Sequence, residues 1–169
     1  MTQKVMGVAG FKNAGKTTLV EKLVRELTGR GFRIATVKHA HHSFDIDHEG
    51  RDSFRHRQAG ASEVAVISGQ RWAIIHELRG EDEPTLEAIL ARLAPCDIVL
   101  VEGYKREAHK KIETRRLEAK DRSPLSVNDA HIVAIAADFA VTGESLPVFD
   151  LNDTGSIADF IERATGLKP

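Results

Sequence analysis

Cysteine is nearly absent. The 169-residue chain carries one, Cys96, which excludes an intrachain disulfide and any cysteine-based zinc site and points to a reducing compartment. Cys96 itself reads as a small buried residue beside a strand. No stretch approaches the roughly 18 consecutive apolar residues of a membrane span, and the N-terminus lacks a basic segment followed by an apolar run and a small-residue cleavage site. The expectation is a cytoplasmic protein with no membrane partner. A formal charge of −1 removes the bulk electrostatic reason to expect nucleic acid as a partner. No internal repeat, low-complexity segment or linker interrupts the chain. Its 41% hydrophobic and 29% charged residues are the balance of a soluble globular protein able to bury its own core, so a single domain over residues 1–169 is expected.

Against those absences stands Gly10-Phe11-Lys12-Asn13-Ala14-Gly15-Lys16-Thr17, followed by Thr18, which meets every defined position of the phosphate-binding pattern Gly-x4-Gly-Lys-Ser/Thr. Val5-Met6-Gly7-Val8-Ala9 before it is short and apolar enough for a buried strand. After it, Leu19, Val20, Leu23, Val24 and Leu27 have the spacing of a helix face. A loop that wraps a polyphosphate must turn its backbone N–H groups inward, and Gly10 and Gly15 permit the close approach and unusual dihedrals this requires. Lys16 is placed to reach the β- and γ-phosphates and Thr17 to put its hydroxyl on Mg²⁺, while the N-terminus of the following helix adds partial positive charge. An ordinary glycine turn matching by chance would not bring the strand and the helix with it.

After a glycine stop at Gly29 and Gly31, Arg33-Ile34-Ala35-Thr36-Val37-Lys38 reads as a second, parallel strand, running into His39-Ala40-His41-His42-Ser43-Phe44-Asp45-Ile46-Asp47-His48. In open α/β sheets ligands bind outside the carboxyl ends of the strands, so this loop leaves the edge that carries the phosphate loop. It is a solvated polar loop, a nucleotide or substrate contact, or a metal site in which His39 and His41 are joined by Asp45 or Asp47. Gly50-Arg51-Asp52-Ser53 opens a short basic helix, capped by Asp52 or Ser53 and stopped at Gly60. Runs from Val64 to Ser68 and from Trp72 to Leu78, separated by Gly69-Gln70-Arg71, predict an antiparallel hairpin on one edge of a mixed sheet. A helix begins at Pro84, buries Leu86, Ile89, Leu90 and Leu93, and ends at Pro95.

Ile98-Val99-Leu100-Val101-Glu102 has the form of a central parallel strand that delivers a carboxylate to a Mg²⁺-nucleotide site, with Glu102 holding the metal, directly or through water, or orienting a water. Asp97 belongs to the opposite edge. From Tyr104 to Arg122 eight basic residues face four acidic ones. Within that stretch Lys111-Ile112-Glu113-Thr114-Arg115 reads as a polar strand showing Lys111, Glu113 and Arg115 on one face, either solvated or, with Lys110, a dock for an anionic ligand or partner. A buried strand from His131 to Ala137 ends in Asp138, a short one ends at Asp150, and a last helix is capped by Asp153 or Thr154 and stopped at Gly166. The fold expected is α/β, a three-layer P-loop NTPase fold with a mostly parallel sheet and an added antiparallel hairpin.

With Val37-Lys38-His39-Ala40-His41-His42, Gly50-Arg51-Asp52-Ser53-Phe54-Arg55-His56, Gln58-Ala59-Gly60-Ala61 and Val101-Glu102-Gly103-Tyr104-Lys105 beside the phosphate loop, the chain resembles the molybdopterin-guanine dinucleotide biosynthesis adapter proteins, the MobB family, over roughly residues 4 to 165. The resemblance implies a GTP-binding, weakly hydrolysing homodimer that assists a molybdopterin guanylyltransferase attaching GMP to molybdopterin. It implies a phosphate site of Gly10, Asn13, Ala14, Gly15, Lys16, Thr17 and Thr18, with Glu102 at the metal edge. Lys16 and Glu102 are then the catalytic candidates and Thr17 and Glu102 the Mg²⁺ ligands, while His39, Arg51 and Asp52 are placed near the site by family motif. No Asn-Lys-x-Asp motif is present, so guanine preference rests on the family, with Asp138 as the candidate acceptor for guanine N1 and N2. Lys12 stands one position from the extra lysine of related dimeric ATPases. The alternative class is an enzyme proper: a small-molecule kinase, for which no arginine-rich lid is identifiable, or a metallochaperone GTPase loading metal through His39, His41 and His42.

Overall fold

The computed structural model describes residues 3–40 and 44–168. Along them run β1 (Val5–Ala9), α1 (Lys16–Gly29), β2 (Ile34–Lys38), α2 (Asp52–Gln58), β3 (Glu63–Ile67), β4 (Trp72–His76), α3 (Leu86–Leu90), β5 (Ile98–Glu102), β6 (Lys111–Arg115), β7 (Ile132–Ala137), β8 (Val148–Asp150) and α4 (Thr154–Thr165). They fall into two compact units, Ala40–Ala88 and the remainder. Among the described residues no helix is long and apolar enough to cross a membrane.

The larger unit is a six-stranded sheet in the order β2-β5-β1-β6-β7-β8, parallel at every pairing. β1 is its switch point: the chain goes from β1 to one edge through β2, and later fills the other side through β6 to β8. The carboxyl end of such a strand is where an open α/β sheet leaves a crevice.

Alternation along each strand assigns side chains to faces. Met6 and Val8, Ile98 and Leu100, Ile112, and Ala134 and Ala136 face α1 and α4, where they pack with Leu19, Leu23, Leu27, Ile157, Ala158 and Ile161 into one core. The expected periodicity of both helices is therefore the one used. Arg30 fastens them at the end of α1, with its guanidinium 2.6 Å from Asp159 and 2.7 Å from Glu162. Asp153 caps α4 by accepting from Ser156 N at 3.1 Å, and Gly166 ends it with φ 65°.

The opposite face of β6 differs from the expected basic surface. Lys111 and Glu113 are 0% and 1% exposed, and Arg115 is also buried. Lys111 Nζ meets Asp129 Oδ2 at 2.9 Å and also donates to the Glu107 carbonyl. Arg115 forks onto both oxygens of Glu113 at 2.9 Å and reaches Glu144 at 2.6 Å. Glu113 in turn accepts from Leu125 N and Ser126 N. The reading of Lys111 as part of a docking face is thus corrected: the charges of β6 point inward and order the segment that follows the strand. Lys110 is the residue of the pair that stays exposed, donating to Ala164 O at 2.6 Å.

In the smaller unit β3 and β4 form their own two-stranded antiparallel sheet, so the hairpin is separate from the six-stranded sheet and does not extend its edge. Asp52 and Ser53 do not cap α2. Arg51 is the capping residue, without a side-chain bond, and Asp52 opens the helix. Ser53 instead donates to Asp47 at 2.9 Å. Arg57, nearly buried, gathers Asp45, Asp47 and Glu77 at 3.0, 3.3 and 2.6 Å. α3 stops at Leu90, shorter than the expected helix to Leu93.

Candidate phosphate-binding site

The loop after β1 turns on two residues with left-handed backbone, Asn13 (φ 64°) and Gly15 (φ 88°). Gly15 is the residue before α1, and its carbonyl already accepts from Leu19 N at 2.9 Å. Gly10 is required for a different reason. A Cβ there would lie 2.5 Å from Thr114 Oγ1 and 2.9 Å from Thr114 O, so only glycine lets the loop leave β1 against β6. Thr114 fixes that junction by donating to Ala9 O at 3.1 Å.

Parity places the rest. Glu102 shares the face of Ile98 and Leu100, so the last residue of β5 points towards the start of α1. There Thr17 Oγ1 donates to Glu102 Oε1 at 2.7 Å, across 85 residues of sequence. Lys38 pairs with Glu102 in the sheet register and brings its ammonium within 3.5 Å of the same oxygen. Lys16 Nζ donates to Phe11 O at 2.8 Å, folding back over its own loop. Burial lowers the Lys16 pKa, repulsion from Lys105 and Lys38 adds to that shift, and Glu102 opposes it. A lysine held among other cations gains more from an incoming anion than an isolated one does.

An open depression of about 370 Å³ is lined by Asn13, Gly15, Lys16, Thr17, Thr18, Arg116 and Glu118. The last two escaped the sequence reading as site residues because they sat within a basic run. The available signal was topological: Arg116 directly follows β6, the strand beside β1. Arg116 lies against Gly15, where an added Cβ would meet its Cδ at 2.9 Å. Its Nε approaches Asp138 Oδ2 at 3.4 Å, while Asp138 Oδ1 accepts from Leu117 N at 2.8 Å. Asp138 is therefore linked through Arg116 to the rim of the depression.

His39 follows β2, and its backbone N donates to Glu102 O at 2.9 Å. Its ring tilts against Tyr104 with centroids 4.6 Å apart. His41, expected to join His39 in a metal site, and His42, expected with them to load a metal, lie outside the described residues. Among the described residues no three His, Cys, Asp or Glu groups gather to hold a metal. Asp45 and Asp47 serve Arg57 instead, and Arg51 and Asp52 belong with them to the smaller unit. Asp97, at the amino end of β5, accepts from Arg33 N at 2.6 Å, away from the phosphate loop as its position in the strand predicts.

A parallel sheet with a Gly-x4-Gly-Lys-Thr loop at its switch point and a strand-end carboxylate on the loop's threonine defines an α/β protein of the P-loop type. The family described as "MobB: Molybdopterin guanine dinucleotide synthesis protein B" matches residues 5–138, and the chain belongs to that family. It is 38% identical over 159 residues to the molybdopterin-guanine dinucleotide biosynthesis adapter protein of Escherichia coli (strain K12), covering 93% of this chain and 90% of that one. The protein of the same name from Haemophilus influenzae is 38% identical over 162 residues, covering 94% and 88%. Among solved structures, the MobB protein homolog from Bacillus stearothermophilus superposes with a TM-score of 0.72 at 30% identity, covering 97% of this chain and 99% of its own.

Proposed function

We propose that this protein is a GTP-binding adapter in molybdopterin guanine dinucleotide biosynthesis, assisting the guanylyltransferase that joins GMP to molybdopterin. The observation that carries the nucleotide part is the Thr17 to Glu102 contact of 2.7 Å beside Lys16. A hydroxyl and a carboxylate are hard oxygen donors, the set that suits Mg²⁺ with water completing its shell. Bound there, the ion would neutralise phosphate charge. Lys16 would leave the Phe11 carbonyl for the β- and γ-phosphates, and the N–H groups of Gly15 to Thr18 would face the same anion. Asp138, steadied by Leu117 N and Arg116, keeps lone pairs on both oxygens for guanine N1–H and N2–H. His39 would respond to the nucleotide through its bond to Glu102 O.

The adapter role follows the names of the relatives. It is consistent with a site that supplies a phosphate cradle and leaves hydrolysis slow, because Lys16, Thr17, the loop amides and Arg116 are placed to hold the anion rather than to aim a water at it. A homodimer is part of the same reading. The hairpin turns Ile67, Trp72 and Ile74 outward on one face, 76%, 69% and 54% exposed, and both of its strands have a free edge. The test is to add the protein with Mg²⁺ and GTP to a molybdopterin guanylyltransferase. Dinucleotide yield should rise, and Lys16→Ala should cancel the rise. Turnover of GTP by the isolated protein at about 1 per second or faster, with no effect on the transferase, would replace the adapter with an enzyme.

A further inference from the structure

The turn after β5 is strained, and the strain has a direction. Gly103 (φ 95°) and Tyr104 (φ 47°) are both left-handed. Such a backbone is unfavourable for a non-glycine residue and persists where the surroundings impose it. Here they do: Tyr104 leans on the His39 ring, and a Cβ on Gly103 would meet His39 Cβ at 3.0 Å. The chain is thereby folded back so that Lys105, half-buried, places its ammonium 4.5 Å from the centroid of the Phe11 ring. Phe11 is the loop residue whose carbonyl receives Lys16. A lysine over an aromatic face is held weakly and stays available to a stronger anion.

Lys105 and Lys38 both act on the Lys16 ionisation, with Glu102 opposing them, and Asp121 faces Lys105 from the segment after β6. A magnesium-bound triphosphate carries roughly one more negative charge than a magnesium-bound diphosphate, so a further ammonium beside the loop favours the triphosphate.

Resting on the nucleotide reading above, we infer that Lys105 is the residue that distinguishes a nucleoside triphosphate from a diphosphate, by leaving the Phe11 ring to contact the γ-phosphate. Lys16 and the loop amides hold both nucleotides, whereas Lys105 acts only when the third phosphate is present.

The experiment is calorimetric titration of the full chain with Mg-GTP and with Mg-GDP. Lys105→Ala should weaken GTP about tenfold, the worth of one charge-assisted hydrogen bond, and leave GDP within about twofold. Lys105→Arg should keep the preference, and Lys16→Ala should lose both ligands. Thermal melting checks that each variant is folded; were Lys105→Ala unfolded, Lys105→Gln, which keeps most of the stem over the ring, should show the same selective loss. Equal weakening of GTP and GDP, or no change in either, overturns the role of Lys105 while wild-type binding upholds the loop. Wild-type protein that binds neither nucleotide overturns the site itself and this inference with it.

Discussion

Lys111 separates a structural reading of the basic segment from a docking one, and the size of the effect follows from its surroundings. Replacing it by alanine removes three methylenes from a side chain that is 0% exposed, about 2 kcal/mol of burial. It also strands Asp129. Breaking a fully buried ion pair costs about 3–5 kcal/mol, but the Asp129 side chain is 21% exposed and keeps a bond from His131 N at 2.9 Å, so about 2 kcal/mol is the appropriate share. Lys111→Ala should therefore lose about 4 kcal/mol. Lys111→Met, which retains the stem against Gly7, should lose about half of that, and Asp129→Asn added to it should recover part. In urea denaturation followed by far-ultraviolet circular dichroism, 4 kcal/mol moves the midpoint by about 2 M. If Lys111→Ala unfolded within about 0.5 kcal/mol of wild type while binding to the transferase was lost, the buried-network account of β6 would be wrong.

Thr17→Ala and Glu102→Gln should each weaken GTP about tenfold in Mg²⁺ and hardly at all in EDTA; equal losses in both buffers would remove these residues from the metal. His76, hydrogen-bonded to Glu63 at 2.8 Å and Glu81 at 3.1 Å, has its pKa raised by those bonds. Its stabilisation is fully present below the ordinary value of 6.5 and is lost as pH rises through the higher folded value, so the hairpin should be more stable at about pH 6 than at about pH 9, and His76→Gln should abolish the difference. Trp72→Glu should convert a dimer seen by light scattering into a monomer with unchanged GTP affinity, and a wild-type monomer at micromolar concentration would reject the hairpin interface. Trp72 is the only tryptophan, so its fluorescence reports the hairpin unit. A single cooperative domain requires that its unfolding curve coincide with the dichroism curve, and two separated transitions would show two domains.

The parts of the site that were legible in the sequence are those written in local pattern. The phosphate loop, the helix that follows it and the acidic end of β5 are each specified by neighbours a few residues away, and the structure assembles Lys16, Thr17 and Glu102 as those patterns require. β6 was not legible in the same way. Lys-Ile-Glu-Thr-Arg alternates as an exposed strand does, and nothing within it announces that Asp129, Glu144 and Ser126 will close over its charged side. Arg116 and Lys105 were hidden likewise, since a basic run gives composition and only topology says which of its residues arrive at the loop. The hairpin was recognised from its turn, but strand pattern does not say which sheet a strand joins.

The charged side of β6 also acts as an index mark for the sheet. Slipping the strand by one residue would turn Lys111, Glu113 and Arg115 into the apolar layer beneath α1 and α4 and leave Ile112 facing Asp129. Lys111 would lose Asp129 and Arg115 would lose Glu144, and charges carried into an apolar layer away from such partners cost several kcal/mol, so a one-residue slip against β1 and β7 is excluded. The pairing with β7 even absorbs an irregularity, from Lys111–Ile132 to Ile112–Ala134, without shifting that alignment. Since Thr114 meets Gly10 and Arg116 meets Gly15 from the end of this strand, the spatial tolerance of the phosphate loop is inherited from ion pairs that never touch a phosphate. Reordering those three charges while conserving their sum would leave composition and motif intact and still move the loop's floor.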